Sequence, residues 1–197
     1  LAFLKALGVK NVTIPHYPID NYKNDLSGSL AYFNECAERV KKYGMRLFYH
    51  NHDFEFETID GKKIIDRIFT ETNEGAIAPQ FDVCWVTYGG SDAGEYIRKY
   101  GYKNMTMAHL KDFVCKGAVK GAVYELIEGG TAKKSREENL FRFKPVGQGV
   151  VSFDNVLAAA EEAGIEYLIV EQDDTYETPA IEAVRQSREF LKNTYGI

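Results

Sequence analysis

Cysteine is scarce in this chain, and so are long apolar runs. The three cysteines, Cys36, Cys84 and Cys115, are odd in number and widely spaced, which argues against a disulfide framework and against a cysteine-based zinc site. Buried, reduced thiols are the expected alternative. No apolar run approaches the roughly 20 residues of a membrane span, so we expect no membrane partner.

Positive charge is also in short supply. The chain has 24 Lys and Arg against 29 Asp and Glu, a net charge of -5. Nucleic-acid binders usually need a basic surface to neutralise phosphates, so we expect no nucleic-acid partner. The length of 197 residues, with 45% hydrophobic and 27% charged residues, suits a single globular domain. A homo-oligomer stays open.

The chain starts at Leu1 without a methionine, in what reads as the middle of a helix. No signal peptide is visible, which favours a cytoplasmic protein. We expect the true N-terminus, with any targeting signal, to lie outside this sequence.

Short strand-like runs alternate with helix-like stretches. The predicted strands lie at 11–15, at 46–50, within 77–85, where the third strand ends in FDVCW, at 105–111 and at 167–171. The main predicted helices lie at 26–43, 63–69, 92–100, 153–163 and from 179 onward. Strand followed by helix, five times, is typical of parallel strands with crossover helices. A doubly wound sheet and a (β/α)8 barrel both fit, and five units would leave a barrel incomplete.

Local signals set several of these boundaries. Asp25 or Ser27 can cap the helix at 26–43. Ile181, Val184 and Leu191 are expected to form the apolar face of the last helix. The segment 113–152 is long, irregular and rich in glycine and basic residues, which is typical of a lid or binding loop; a solvated insertion explains it equally well.

Polar side chains with metal-binding chemistry gather at the predicted carboxyl ends of the strands, where folds of this kind place their sites. They are His16; His50, Asn51, His52, Asp53 and Glu55; Asp82; His109, Lys111 and Asp112; and Glu171, Gln172 and Asp173. Converging carboxylates need a cation to hold them together, so we predict a divalent-metal site. For any one residue alone, a capping or loop role is an equally good explanation.

The two-residue spacing within these groups supports that prediction. Successive strand side chains point to opposite faces, so residues two apart share a face. The pairs are His50 with His52, His109 with Lys111, and Glu171 with Asp173. Polar residues that face into the mouth of a barrel would show this spacing.

Five motifs in register carry a resemblance to a known family. LFYHNHDFEF, FDVCW, AHLKD, PVGQGVVSF and YLIVEQD, in this order, resemble the sugar phosphate isomerase/epimerase family, which has the xylose-isomerase-like TIM barrel and is related in fold to endonuclease IV. The resemblance runs from about Val9 to the last helix. It implies that residues 1–197 are a single, partial (β/α)8 TIM-barrel domain with strands four to eight, and that the first three βα units, roughly 80–90 residues, are absent from this chain.

The resemblance also implies a set of metal ligands. The family usually holds its metal with Glu, Asp, His and Glu, and Asp82, His109 and Glu171 match the last three. The chain departs at the first glutamate, because the family's ENH-like motif is HNH here and puts His50 at that position. Either His50 binds the metal, or Glu55 reaches in from the loop, or the metal has three protein ligands and more water. The mixed ligands suit one Mn²⁺, Co²⁺ or Zn²⁺ ion better than Mg²⁺.

The activity implied by the resemblance is isomerisation or epimerisation of a small carbohydrate that bears a carbonyl and an adjacent hydroxyl. The metal would stabilise an enediolate while a side chain moves a proton at the carbon next to the carbonyl. Glu171 is the expected catalytic base. His52, Glu55 or His50 is the expected catalytic group on the opposite face.

Three further residues are candidates for substrate binding: Lys111, Trp85 and His16. For Lys111, a salt bridge to Asp112 or Asp173 is an equally good explanation. For Trp85, core packing is the more common role of a lone tryptophan.

Three other functions stay open. A dehydratase or lyase acting on a keto-sugar would use the same metal site. A noncatalytic carbohydrate-binding barrel would explain the missing first glutamate. A DNA repair nuclease of the endonuclease IV type is least favoured, because four histidines in an acidic chain supply neither the ligands of a metal cluster nor a DNA-binding surface.

Overall fold

A computed structural model describes residues 1–116, 140–176 and 178–197. Its strands are β1 Asn11–Ile14, β2 Arg46–His50, β3 Thr58–Ile59, β4 Lys62–Lys63, β5 Ala78–Gln80, β6 Met107–Leu110, β7 Asp112–Val114, β8 Arg142–Lys144 and β9 Tyr167–Val170. Its helices are α1 Ala2–Ala6, α2 Ile19–Asn24, α3 Leu26–Lys41, α4 Ile64–Glu71, α5 Val83–Tyr88, α6 Ala93–Tyr100, α7 Phe153–Ala163 and α8 Ala180–Tyr195, with a 3₁₀ helix at Phe54–Phe56.

Five parallel strands stand side by side in the order in which they occur in the chain. β1 pairs with β2, β2 with β5, and β6 with β9. A bridge between Asp82 and His109, in which the His109 N–H donates to the Phe81 carbonyl at 2.8 Å, joins the two groups. A doubly wound sheet reverses its strand order at a switch point, whereas a barrel wall does not. The observed order is that of a barrel wall.

The helix boundaries follow local signals in the sequence. Asp25 caps α3 by accepting the Gly28 N–H at 2.8 Å, and Asp92 caps α6 by accepting the Glu95 N–H at 2.9 Å. Helix α7 ends at Gly164, whose φ of 67° is the left-handed conformation that glycine adopts without strain. These contacts set where each helix starts and stops relative to the strand ends.

Two predictions about local structure are wrong. The strand predicted within 77–85 stops at Gln80, because Asp82 already serves as the N-cap of α5. In α8, Ile181 and Val184 are exposed rather than buried. The buried face of α8 includes Ser187 instead, whose hydroxyl accepts the Val146 N–H at 3.0 Å and docks the helix on the loop at 145–151.

The carboxylate of Asp112 organises that loop. It accepts four backbone N–H groups, from Phe113, Gly147, Gly149 and Val151, at 2.7–3.2 Å. Asp112 therefore does not form the predicted salt bridge with Lys111. Only glycine fits at position 149, since a Cβ there would lie 2.2 Å from Asp112 Oδ1.

The segment that the sequence predicts as a lid falls largely on residues 117–139, outside the described residues. Its two ends are described: β7 and β8 pair antiparallel, with Phe113 opposite Phe143. Within the described residues, none of the helices has the length and apolar character needed to cross a membrane.

Replacing Asp112 with asparagine tests the importance of this loop anchor. Asparagine keeps the shape but offers one acceptor oxygen to a site with four N–H donors, so we expect a loss of roughly 2–4 kcal/mol in the free energy of unfolding. The control is Asp60→Asn, since the Asp60 side chain is 87% exposed and an exposed change costs little. Thermal unfolding measures both, and equal melting temperatures would contradict the assigned role.

Candidate metal centre

Asp82 reaches the strand ends through two backbone constraints. Its own N–H donates to Asn51 Oδ1 at 2.9 Å, which ties the end of β5 to the end of β2. Its Oδ1 caps α5 by accepting the Cys84 and Trp85 N–H groups at 2.9 and 3.3 Å. These contacts do not use Oδ2, which is the oxygen left to face the point where the strand ends converge. Asn51, a strand-end residue for which the sequence predicts no specific role, thus positions a candidate ligand.

Four side chains converge at this point. His50 ends β2, Asp82 follows β5, His109 lies in β6 and Glu171 follows β9. One potential ligand atom from each lies within 4.8 Å of the others. Two ligands on opposite sides of an ion at about 2.1 Å are about 4.2 Å apart, so this spacing is close to that of a coordination shell. The structure brings together all four predicted ligands.

The charge states of His50 and Glu171 suit metal binding. Burial, reinforced by His109, lowers the pKa of His50 to about 3, so its imidazole is neutral at pH 7 and has a free electron pair. Burial raises the pKa of Glu171, but its hydrogen bond with His109 and the charge of Lys111 outweigh that effect and lower the pKa to about 2. Glu171 is therefore a carboxylate at neutral pH.

Lys111 lies against the same carboxylates. Its Nζ is 3.0 Å from Asp82 Oδ2, 3.4 Å from Glu171 Oε2 and 3.1 Å from Asp173 Oδ1. Burial lowers the pKa of Lys111, but the three carboxylates raise it above its usual value. Lys111 is therefore a buried cation. The predicted contact with Asp173 is present, and its substrate-binding role stays a prediction.

Glu55 lies apart from the four-residue group. Its carboxyl group accepts hydrogen bonds from the Tyr49 hydroxyl at 2.5 Å and from the His52 N–H at 2.7 Å. Tyr49 precedes His50 in β2 and so points to the opposite face, where its ring packs 5.5 Å from that of Phe33. Of the arrangements left open by the sequence, this geometry favours His50, rather than Glu55, as the fourth ligand.

His52, His16 and Trp85 line one side of the group. The His52 ring centroid is 5.1 Å from that of His50, 5.7 Å from that of His16 and 6.0 Å from that of Trp85. Burial lowers the pKa of His52, so it is neutral at pH 7. The structure thus brings two of the predicted substrate-binding residues and one predicted catalytic residue to the same wall.

Trp85 combines both expected roles. It stacks on Phe141 with ring centroids 5.8 Å apart, and Lys111 Nζ lies 5.3 Å from its ring centroid. The ring is therefore part of an aromatic cluster. Its Nε1 is buried and has no hydrogen-bond partner among the described residues.

Parallel strands in chain order, with ligand-type side chains converging at their carboxyl ends, define an α/β-barrel protein. The family model of the xylose isomerase-like TIM barrel matches residues 1–194, and the chain belongs to this family. The resemblance and the fold class predicted from the sequence are confirmed.

Relatives and solved structures agree with this assignment. An inosose dehydratase from Clostridium perfringens (strain 13 / Type A) is 27% identical over 164 residues, which are 81% of this chain and 51% of the relative. The chain therefore spans about half the length of this relative.

Two solved structures share the fold. A sugar phosphate isomerase/epimerase from Parabacteroides distasonis ATCC 8503 superposes with a TM-score of 0.73 at 22% identity, over 98% of this chain and 60% of that one. The IOLI protein with a bound zinc atom superposes with a TM-score of 0.63 at 18% identity, over 98% of this chain and 65% of that one.

The environment of Glu55 predicts a pH-dependent stability. Burial raises the pKa of Glu55 to about 8, against the opposing hydrogen bonds from Tyr49 and His52. The folded protein then keeps this proton over a range in which the unfolded chain, with an ordinary carboxyl pKa near 4.5, loses it. The retained proton on Glu55 therefore adds to the free energy of unfolding. This contribution is complete below pH 4.5 and is lost as the pH rises to about 8, and its size is on the order of a few kcal/mol.

We therefore expect Glu55→Gln to flatten the decline in stability between pH 5 and pH 8. Denaturant unfolding across this range measures the slope. Glu161→Gln, on the exposed surface of α7, is the matched control and should keep the wild-type slope. A wild-type slope in Glu55→Gln would show that the Glu55 proton is not retained.

Proposed function

We propose that this chain carries the site of a divalent-metal enzyme that isomerises or epimerises a small carbohydrate by moving a proton next to its carbonyl. The convergence of His50, Asp82, His109 and Glu171 carries the proposal. Two imidazoles and two carboxylates form a mixed nitrogen and oxygen set that suits Mn²⁺, Co²⁺ or Zn²⁺. The bound zinc of the IOLI structure, which has the same fold, supports a divalent ion.

The ion, when bound, supplies a Lewis acid that stabilises negative charge on the carbonyl oxygen of the substrate. The side chains of the chain do the rest. Glu171 is the proposed base, and the neutral imidazole of His52 faces the group from the wall that it shares with His16 and Trp85. One of the two would remove the proton, and the other, after it has taken a proton from solvent, would return one to the opposite face, which changes the configuration at that carbon.

Substrate binding falls to the residues around these two groups. The ammonium of Lys111 can donate to a substrate hydroxyl or carbonyl, and the buried Nε1 of Trp85 offers a second donor. His16 is half-buried beside His52 and can contact the far end of a small sugar. Glu55 accepts a hydrogen bond from the backbone N–H of His52 and so helps to hold that residue in place.

Dehydration of a keto-sugar or keto-cyclitol is the second candidate function. The 27% identity to an inosose dehydratase favours it. The first step is the same, removal of the proton next to the carbonyl. The two reactions then differ in whether a proton returns or a hydroxyl leaves.

We also propose that βα units preceding residue 1 complete the barrel. The free edges of the described sheet support this: among the described residues, β1 pairs only with β2 and β9 only with β6. Tyr167 and Ile169 of β9 are exposed at one of these edges. The following experiments therefore use the full-length protein.

Metal content tests the site. We expect the purified protein to hold about one divalent ion per chain, and Asp82→Ala with His109→Ala to abolish binding, because each removes a ligand atom. Elemental analysis after dialysis measures the content. As control, Asp66→Ala removes a carboxylate that pairs with Lys99 elsewhere and should keep the ion. Unchanged metal in the double variant would remove the basis of the proposal.

Solvent deuterium tests the reaction. A ketose or keto-cyclitol substrate should gain deuterium at the carbon beside its carbonyl, detected by mass spectrometry and NMR. His52→Asn should slow this exchange by roughly 10²–10⁴-fold, the range for loss of a positioned acid or base, while the metal content stays at one ion.

The products separate the two candidate functions. Formation of an isomer or epimer supports the first, and loss of water with formation of an unsaturated ketone supports dehydration. No exchange across a broad panel of ketoses and keto-cyclitols would exclude both.

A further inference from the structure

Lys111 occupies an unusual place for a substrate-binding lysine. Its side chain is 2% exposed, and its Nζ contacts the two carboxylates of the proposed ligand set. The contacted atoms are Asp82 Oδ2, which lies 4.0 Å from His50 Nε2, and Glu171 Oε2, which is hydrogen-bonded to His109 Nδ1. These are the oxygens that face the imidazoles, and so the ones that a shared ion would bind.

A divalent ion on these oxygens would stand close to the ammonium. Two cations a few ångströms apart inside a protein repel each other strongly, because water does not screen them. The ammonium must therefore withdraw from Asp82 and Glu171, or the ion binds more weakly. Asp173 offers a place to withdraw to, since its Oδ1 and Oδ2 lie 3.1 and 3.2 Å from Nζ and its side chain is 44% exposed.

We propose that Lys111 is a built-in competitor for the metal, which pairs with Asp82 and Glu171 and moves onto Asp173 when a divalent ion binds. This inference rests on the proposed function. It makes Lys111 a determinant of metal affinity, and it makes Asp173 a positioning residue that acts through Lys111.

Removing Lys111 and removing the charge of Asp173 should change the affinity for the metal in opposite directions. Lys111→Met removes the competitor, so Co²⁺ should bind about tenfold more tightly or better. Asp173→Asn removes the alternative partner of the ammonium, so Co²⁺ should bind several-fold more weakly. In the double variant Lys111→Met/Asp173→Asn, the effect of Asp173→Asn should largely disappear, because the lysine through which it acts is gone.

Titration calorimetry with Co²⁺ alone, on the metal-stripped full-length protein, measures these affinities. Two control variants remove a positive or a negative charge, as the test variants do, at residues that do not take part in the contact between Lys111 and Asp173. Lys99→Met removes a lysine that pairs with Asp66, and Asp174→Asn removes the neighbouring carboxylate, which accepts the Tyr176 N–H. Neither should change the affinity by more than about twofold.

Several results would overturn the inference. Equal weakening by Asp173→Asn with and without Lys111 would mean that Asp173 acts by its charge alone. An unchanged or weaker affinity in Lys111→Met would mean that the lysine does not compete. If Lys111→Met does not fold, equal affinities in Asp173→Asn and Asp174→Asn overturn the inference.

The failure of the inference and that of the proposed function are distinguishable. Absence of Co²⁺ binding in the wild type and in every variant would overturn the proposed function and this inference with it. Binding by the wild type, with no gain in Lys111→Met, would overturn the inference alone.

Discussion

Asp82 and Glu171 are two carboxylates that the fold brings close together. The other residues of the site offset the repulsion between them. They follow β5 and β9, the strands on either side of β6, and so end at the same edge of the sheet. Asp82 is fully buried. Such carboxylates stay ionised only beside cations or hydrogen-bond donors. Lys111 meets this need at both carboxylates, and the imidazole of His109 hydrogen-bonds to Glu171.

Much of this arrangement could be predicted from the sequence, because two simple rules govern it. Parallel strands end at one edge, and side chains two apart in a strand share a face. These rules gather the polar residues at the strand ends, and the family resemblance singles out Asp82, His109 and Glu171 among them, with His50 at the position of the fourth ligand. The cap at Asp25 could be predicted, as one of two candidates with Ser27, because a helix-start signal is local.

The remaining features depend on backbone paths that no local pattern reveals. Glu55 sits in a short 3₁₀ helix, and its direction follows from the turn after His50 rather than from strand alternation. Asp112 has the residue type of a salt-bridge partner for Lys111. Its carboxylate instead accepts backbone N–H groups from a loop that lies more than 30 residues further along the chain. Likewise, the face of α8 was set by the contact of Ser187 with that loop and not by hydrophobic spacing.

The histidine in the HNH motif has a consequence for charge. With a glutamate at position 50, as in the family's usual motif, the strand ends would hold one more negative charge. With a neutral His50, three carboxylates and the ammonium of Lys111 leave a net charge of -2 on these groups. A divalent ion would balance this charge fully, and only while Lys111 stays in the site beside Asp173. The histidine at position 50 and the buried Lys111 thus act in the same direction, because both limit the negative charge at these strand ends.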